Sequence, residues 1–139
     1  MSLDGEANPE VDRVYCSLRV YRDDLDPNLV SEFLSNRPDR VHQKDQPYLK
    51  GGKLLAPTGA WFFFTLDRFE SQMHEDHINW LLDQFDGKHD ALRQLQAEGY
   101  EIEVSCYWLS VEGRVLQLSP ATMRRLSELN LVIWFDIYG

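Results

Sequence analysis

Two stretches of this chain alternate with a period of two, and each leads into the same helix-opening signal. Arg13 to Arg22 sets Val14, Cys16, Leu18 and Val20 on one face and Arg13, Tyr15, Ser17, Arg19 and Tyr21 on the other. Glu101 to Ser110 sets Ile102, Val104, Cys106 and Trp108 against Glu101, Glu103, Ser105 and Tyr107. That period belongs to a strand with one buried face. Asp26-Pro27 follows the first stretch, and Ser119-Pro120 lies beyond the second. An Asp or Ser oxygen accepts from the free N–H groups of a helix start, and Pro at the first helical position brings a suitable φ where no donor is needed.

Further elements fill the pattern. Leu29, Val30, Phe33 and Leu34 form the stripe of the first helix, which Arg37-Pro38 ends. Thr58-Gly59 leads into an aromatic strand, Ala60 to Leu66. Ser71 to Glu98 carries Ile78, Leu81, Leu82, Phe85, Leu92 and Leu95 at helical spacing, with Gly87 placed to kink or split it and Gly99 to cap it. His74 and His77 are read on a solvent-facing first turn, beside Glu75 and Asp76. Glu112-Gly113 is a hairpin turn signal before a short strand, Arg114 to Leu118. Met123, Leu126 and Leu129 give the last helix its buried stripe, and the final strand runs from Leu131 to Tyr138.

These elements predict a single α+β domain over 13–139, preceded by a disordered tail over 1–12. The mixed or antiparallel sheet has about five strands with helices packed on it, in two quasi-repeated strand–helix–strand halves. Cys16 answers Cys106, Pro27 answers Pro120, and Trp61-Phe62 answers Trp134-Phe135. Right-handed crossovers would put the helices that open at Pro27 and Pro120 on one sheet face. The other face would hold Tyr15, Arg19, Tyr21, Trp61, Phe63, Tyr107, Trp134, Asp136 and Tyr138. It is too aromatic to stay bare, and the long helix is expected to cover part of it.

Charge narrows the function classes. The 139 residues carry 14 Lys and Arg against 23 Asp and Glu, a net charge of −9. Such a surface repels nucleic acid and suits a basic protein partner. The longest apolar runs, Ala60 to Phe64 and Leu131 to Phe135, are too short to span a bilayer. The polar first residues lack a signal-peptide pattern, so a cytoplasmic location with two buried, reduced thiols is expected.

One segment reverses the charge. Arg37 to Pro57 holds Arg37, Arg40, Lys44, Lys50 and Lys53 against Asp39 and Asp45, and is rich in Pro and Gly. Arg40, His42 and Lys44, beside Trp61 at the sheet end, are the candidate ligand-binding residues, suited to an anion or an acidic peptide. The alternative is a rigid solvated loop whose cations offset the acidic body. Lys50-Gly51-Gly52-Lys53-Leu54 fails as a phosphate loop, because Leu54 replaces the metal-binding hydroxyl and the upstream Gly is missing. No catalytic residue, metal site or cofactor is assigned. His89 is too far from His77 to complete a site with His74, and no nucleophile elbow, zinc motif or dinucleotide fingerprint occurs.

Several motifs, in order, resemble an uncharacterised bacterial family, the domain of unknown function 4279. They are Leu25-Asp26-Pro27, then Pro38, His42 and Lys44, then Gly59-Ala60-Trp61. Ile78 to Leu82, Ser105-Cys106-Tyr107, Leu118-Ser119-Pro120 and Phe135-Asp136-Ile137-Tyr138 complete the series. The resemblance implies no activity, and associates the chain with small acidic proteins of toxin–immunity settings. The leading expectation is a non-enzymatic protein-interaction module, with an immunity-protein-like role as one form of it. The alternatives are a small anionic-ligand-binding protein or enzyme using the 37–57 loop, and a structural homodimer formed through the aromatic sheet face.

Overall fold

A computed structural model of the chain describes residues 13–109 and 116–138. The elements run β1 (Arg13–Arg22), α1 (Pro27–Leu34), β2 (Arg40–His42), β3 (Gly59–Phe64), α2 (His74–Asp83), α3 (His89–Ala97), β4 (Glu101–Leu109), α4 (Pro120–Glu128) and β5 (Val132–Tyr138). The five strands form one mixed sheet in the order β2-β3-β1-β4-β5, so the expected α+β class holds. The 1–12 tail and the Glu112-Gly113 turn lie outside the described residues. Residues 116–118, expected to end a returning strand, are not in a strand.

Local signals account for the helix starts. The Asp26 carboxylate accepts from the N–H groups of Asn28 and Leu29, and the Ser119 hydroxyl accepts from Thr122 N. Gly87 divides the long helical region. Its φ of +76° suits glycine, and it falls between α2 and α3.

The halves differ in how their strands meet. β4 and β5 are parallel across α4, as a strand–helix–strand crossover requires, whereas β1 and β3 are antiparallel. The basic segment causes the difference. It carries the chain through β2 and turns it back into β3, and β2 pairs antiparallel with β3.

The helices pack on one face of the sheet. Cys16, Leu18 and Val20 of β1 join Val104 and Cys106 of β4, Leu34 of α1, Ile78 and Leu81 of α2, Leu92 of α3 and Leu126 of α4 in one buried cluster. Burial of each such aliphatic side chain contributes about 1.5–3 kcal/mol. In α4 the expected stripe is shifted: Leu126 is buried and Met123 is 49% exposed, while Thr122 is buried in its place.

Register corrects the assignment of the aromatic strand. Leu18 pairs with Phe63 and Val20 with Trp61, so Trp61 and Phe63 face the helices. Phe62 and Phe64 take the opposite face. The run Trp61-Phe62-Phe63-Phe64 has no polar phase, and a slip of one residue exchanges the two faces. The long helical region does not cover the second face either. Phe85 packs edge-on against Trp61 and Phe63, and His74 against Trp108, all on the helical side. No helix among the described residues is long and apolar enough to cross a membrane.

Candidate functional site

The sheet face away from the helices is built in rows set by strand register. One row runs Arg40, Phe62, Arg19, Glu103 and Val132 from β2 to β5. The next holds Phe64, Ser17, Ser105 and Trp134, and the one after it Tyr15, Tyr107 and Asp136. Phe62 therefore stands between two arginines. The Arg19 guanidinium lies 5.5 Å from the Phe62 ring centroid, and that of Arg40 lies 5.7 Å from Phe64. Cation–π attraction at such distances holds a guanidinium over a ring while its N–H edge stays available.

Tyr15, Arg19, Arg40, His42, Phe62, Phe64 and Leu66 line a cleft of about 240 Å³. Phe62 and Phe64 stack at 6.1 Å, and His42 meets Phe62 edge-on at 5.3 Å and Tyr48 at 4.8 Å. Among the described residues neither Arg19 nor Arg40 forms an ion pair with a carboxylate within 4.0 Å. Arg19 instead donates to the Ser17 hydroxyl at 3.1 Å. Partial burial, and then the charge of Arg40, lower the pKa of His42, which favours its neutral form. Burial raises the pKa of Tyr15, an effect that Arg19 partly offsets.

The aromatic surface continues across the sheet. Tyr15 stacks on Tyr107 at 5.0 Å, and Tyr107 meets Tyr138 at 5.5 Å. The charge changes sign along the way, from Arg40 and Arg19 on β2 and β1 to Glu101, Glu103 and Asp136 on β4 and β5. Burial raises the pKa of Glu103, and Trp134 and Arg19 pull it back in part. Trp134 and Tyr138 are 58% and 52% exposed.

The candidate residues named from sequence separate here. Arg40 and His42 lie together in the cleft. Lys44 turns away and pairs with Asp23 at 3.0 Å. Trp61 is fully buried on the helical side, where its Nε1 donates to Ser31 Oγ at 3.0 Å. Arg19 and Tyr15 reach the cleft although neither belongs to the basic segment. The alternation of β1 put both on the non-core face, but only the pairing of β1 with β3 brings them beside Arg40.

The basic segment past β2 is an irregular hairpin rather than open loop. Asp45 N donates to Ala56 O, Ala56 N to Gln46 O, and Tyr48 N to Leu54 O. Its tip turns at Gly51, with a φ of +77°, and exposes Leu49 and Leu54. Among the described residues no group of three or more His, Cys, Asp or Glu is placed to hold a metal ion.

The family model described as a domain of unknown function (DUF4279) matches residues 12–139. The chain belongs to this family. The DUF4279 match spans every element from β1 to β5, so the open face and its cleft are part of the domain that the family model covers. No curated protein and no solved structure matches the chain.

Proposed function

We propose that this protein is a non-enzymatic interaction module that binds through its open sheet face. The observation that supports the reading is the one-sided packing of the sheet. Helices cover the Cys16 face, and the opposite face presents Phe62, Phe64, Tyr15, Tyr107, Trp134 and the two arginines. Aromatic residues and Arg are the types enriched in interface cores and energetic hot spots. The two cysteines are buried free thiols, in keeping with a reducing bacterial cytoplasm as the setting.

The test is retention of partner protein by the tagged full chain from bacterial lysate at low and high salt. The expected result is capture that weakens with salt and is lost in Arg19→Glu/Arg40→Glu. Capture unaffected by that variant would place the interaction elsewhere and overturn the reading.

The cleft supports a second reading, as a site for a small anion held by Arg19 and Arg40 beside neutral His42. A ligand present at about a hundred times its Kd should stabilise the fold by about 2.7 kcal/mol. Thermal shifts with phosphate, nucleotides and small carboxylates, lost in Arg19→Ala/Arg40→Ala, are the expected outcome. No shift with any of them removes this reading.

A further inference from the structure

We infer that β5 pairs antiparallel with β5 of a second copy, about a two-fold axis that stands perpendicular to the sheet at Phe135. The two five-stranded sheets then run on as one. This concerns the edge of the sheet and goes beyond the reading of its open face, which the pairing leaves uncovered.

The two edges of the sheet differ. β2, at one edge, is three residues long, begins two residues after Pro38 and carries Arg40 and His42. Short length, charge and Pro are usual means of keeping an edge from adding strands. β5, at the other edge, has seven residues and contains no Pro, Gly, Lys or Arg. β4 takes one side of it, and no described residue pairs with the other side. Val132, Trp134, Ile137 and Tyr138 are each more than half exposed. A long apolar edge of this kind templates a further strand through its outward N–H and C=O groups.

Register selects a second copy as the occupant. Phe135 is the middle residue of β5, so an axis there uses the whole strand. Phe135 then faces its own copy. Ile133 faces Ile137 on the helical side, while Trp134 faces Asp136 and Val132 faces Tyr138 on the open side. The sides follow from the pairing with β4, where Ile133, Phe135 and Ile137 lie beside Val104, Cys106 and Trp108. No like charges stand directly opposite. An axis one residue later would set Asp136 on Asp136. An axis one residue earlier would set Tyr138 on Asn130, beyond the strand.

Shape and charge agree with this register. A groove of about 440 Å³ lies where α4 meets the start of β5, lined in part by Leu118, Met123, Leu126 and Ile133. Exposed Ile137 of each copy comes beside Ile133 of the other, at this groove. From Pro120 to Tyr138 the charged residues are Arg124, Arg125, Glu128 and Asp136, which cancel, in a chain of net charge −9. Copies therefore meet little repulsion along this edge. Seven residues at about 3.3 Å each give an edge about 23 Å long, and one sheet layer with one helix layer is about 20 Å thick. That makes roughly 450 Å² per copy and about 900 Å² in all, the size of a weak, reversible interface. About six to eight main-chain hydrogen bonds accompany it. Each β5 is used once, so assembly closes at two.

Sedimentation velocity of the full chain, from micromolar to millimolar concentration, provides the first test. The wild-type mass is expected to rise from one chain mass toward two. Ile137→Lys sets a charge at the other copy's groove, twice over, and should hold the protein at one chain mass. Trp134→Lys sets an ammonium opposite Asp136 of the other copy and should keep the dimer. Circular dichroism checks that each variant is folded. Cysteine cross-linking reads the register itself. Val132→Cys and Tyr138→Cys change exposed positions, and the native thiols are buried. An oxidised mixture of these two variants should form a covalent dimer, since facing residues lie within disulfide reach. Neither should do so alone, because the two copies of either position lie about 20 Å apart. A wild type that stays monomeric at millimolar concentration overturns the proposal, as does a folded Ile137→Lys variant that still dimerises. Cross-linking by one variant alone, or none in the mixture, overturns it too. A dimer lost in Arg19→Glu/Arg40→Glu but kept in Ile137→Lys places the contact on the open face and overturns the edge pairing. A monomeric wild type that captures another protein through Arg19 and Arg40 overturns the edge pairing alone and leaves the open face a binding surface.

Discussion

Cys16 and Cys106 stand directly opposite each other on β1 and β4, and neither has any exposure. Burial, and then the neighbouring Cys106 thiol, push the Cys16 pKa well above its ordinary value. Because neither side chain is reached by solvent, both residues should resist alkylation in the native protein. Iodoacetamide at mildly alkaline pH is expected to label neither until guanidinium unfolds the chain, and then both. Mass spectrometry reads the result, and rapid native labelling of either thiol would contradict the buried pair.

A buried relay links Cys16 to His77. Thr65 Oγ1 accepts from Cys16 N at 2.9 Å and lies 2.8 Å from His77 Nδ1, while His77 Nε2 lies 2.8 Å from Ser71 O. A carbonyl can only accept, so Nε2 carries the proton, and in the neutral ring Nδ1 accepts from the Thr65 hydroxyl. Thr65→Val leaves Cys16 N and His77 Nδ1 without this partner and should cost about 1–3 kcal/mol in urea unfolding, whereas Thr65→Ser should cost much less.

His77 also makes stability depend on pH. Burial lowers its pKa, an effect only partly offset by the Ser71 carbonyl, so the folded state binds its proton less readily than the unfolded state. Stability from this group is fully present above the unfolded value near ~6.5 and is lost as pH falls through the lower folded value. The buried part of Glu103 acts in the opposite sense at lower pH, since burial raises its pKa. Urea midpoints should therefore decline from pH 7.5 toward 5.5 in wild type. A His77→Gln variant should be less stable overall and flatter across that range, and an equal decline in both would exclude His77 as the cause.

Glu75 joins α2 to the start of α4. Its Oε1 accepts from Ser119 N at 2.5 Å and from the Thr122 hydroxyl at 2.6 Å. The Ser119 and Thr122 hydrogen bonds hold its pKa below the ordinary value. The associated stability is present above the unfolded carboxylate range and is lost as pH falls through the folded value. Glu75→Ala should cost about 1–2 kcal/mol at neutral pH, on the scale of a lost helix cap. The deficit relative to wild type should shrink in acid, and a deficit independent of pH would show that the carboxylate charge is not involved.

Trp61 provides the control that separates fold from surface. Trp61→Ala should destabilise by about 3–5 kcal/mol as a large buried truncation. Trp61→Phe keeps most of the ring but leaves Ser31 Oγ without its donor, and should cost less. At temperatures where Trp61→Phe is folded, binding through Arg19 and Arg40 should match wild type. Specific loss of binding by folded Trp61→Phe would contradict its placement on the helical face.

Much of the molecule was legible because its signals are local. Alternation marked both long strands, Asp26-Pro27 and Ser119-Pro120 opened their helices, and Gly87 marked the break between α2 and α3. His74 and His77 were misread as solvent-facing. They are 5% and 1% exposed, because the first turn of α2 packs against Trp108 and Thr65, distant contacts that helical periodicity near a terminus does not disclose.

The sequence by itself determined the α+β class, the edges of the main elements and the basic character of the segment that supplies Arg40 and His42. These follow from dihedral preferences and side-chain periodicity within a few residues. Tertiary structure alone decided which aromatic side chains of β3 face the helices, that β1 and β3 are antiparallel, and that Arg19 and Arg40 flank Phe62. Those outcomes depend on register between strands far apart in the chain, and a shift of one residue moves every side chain to the other face.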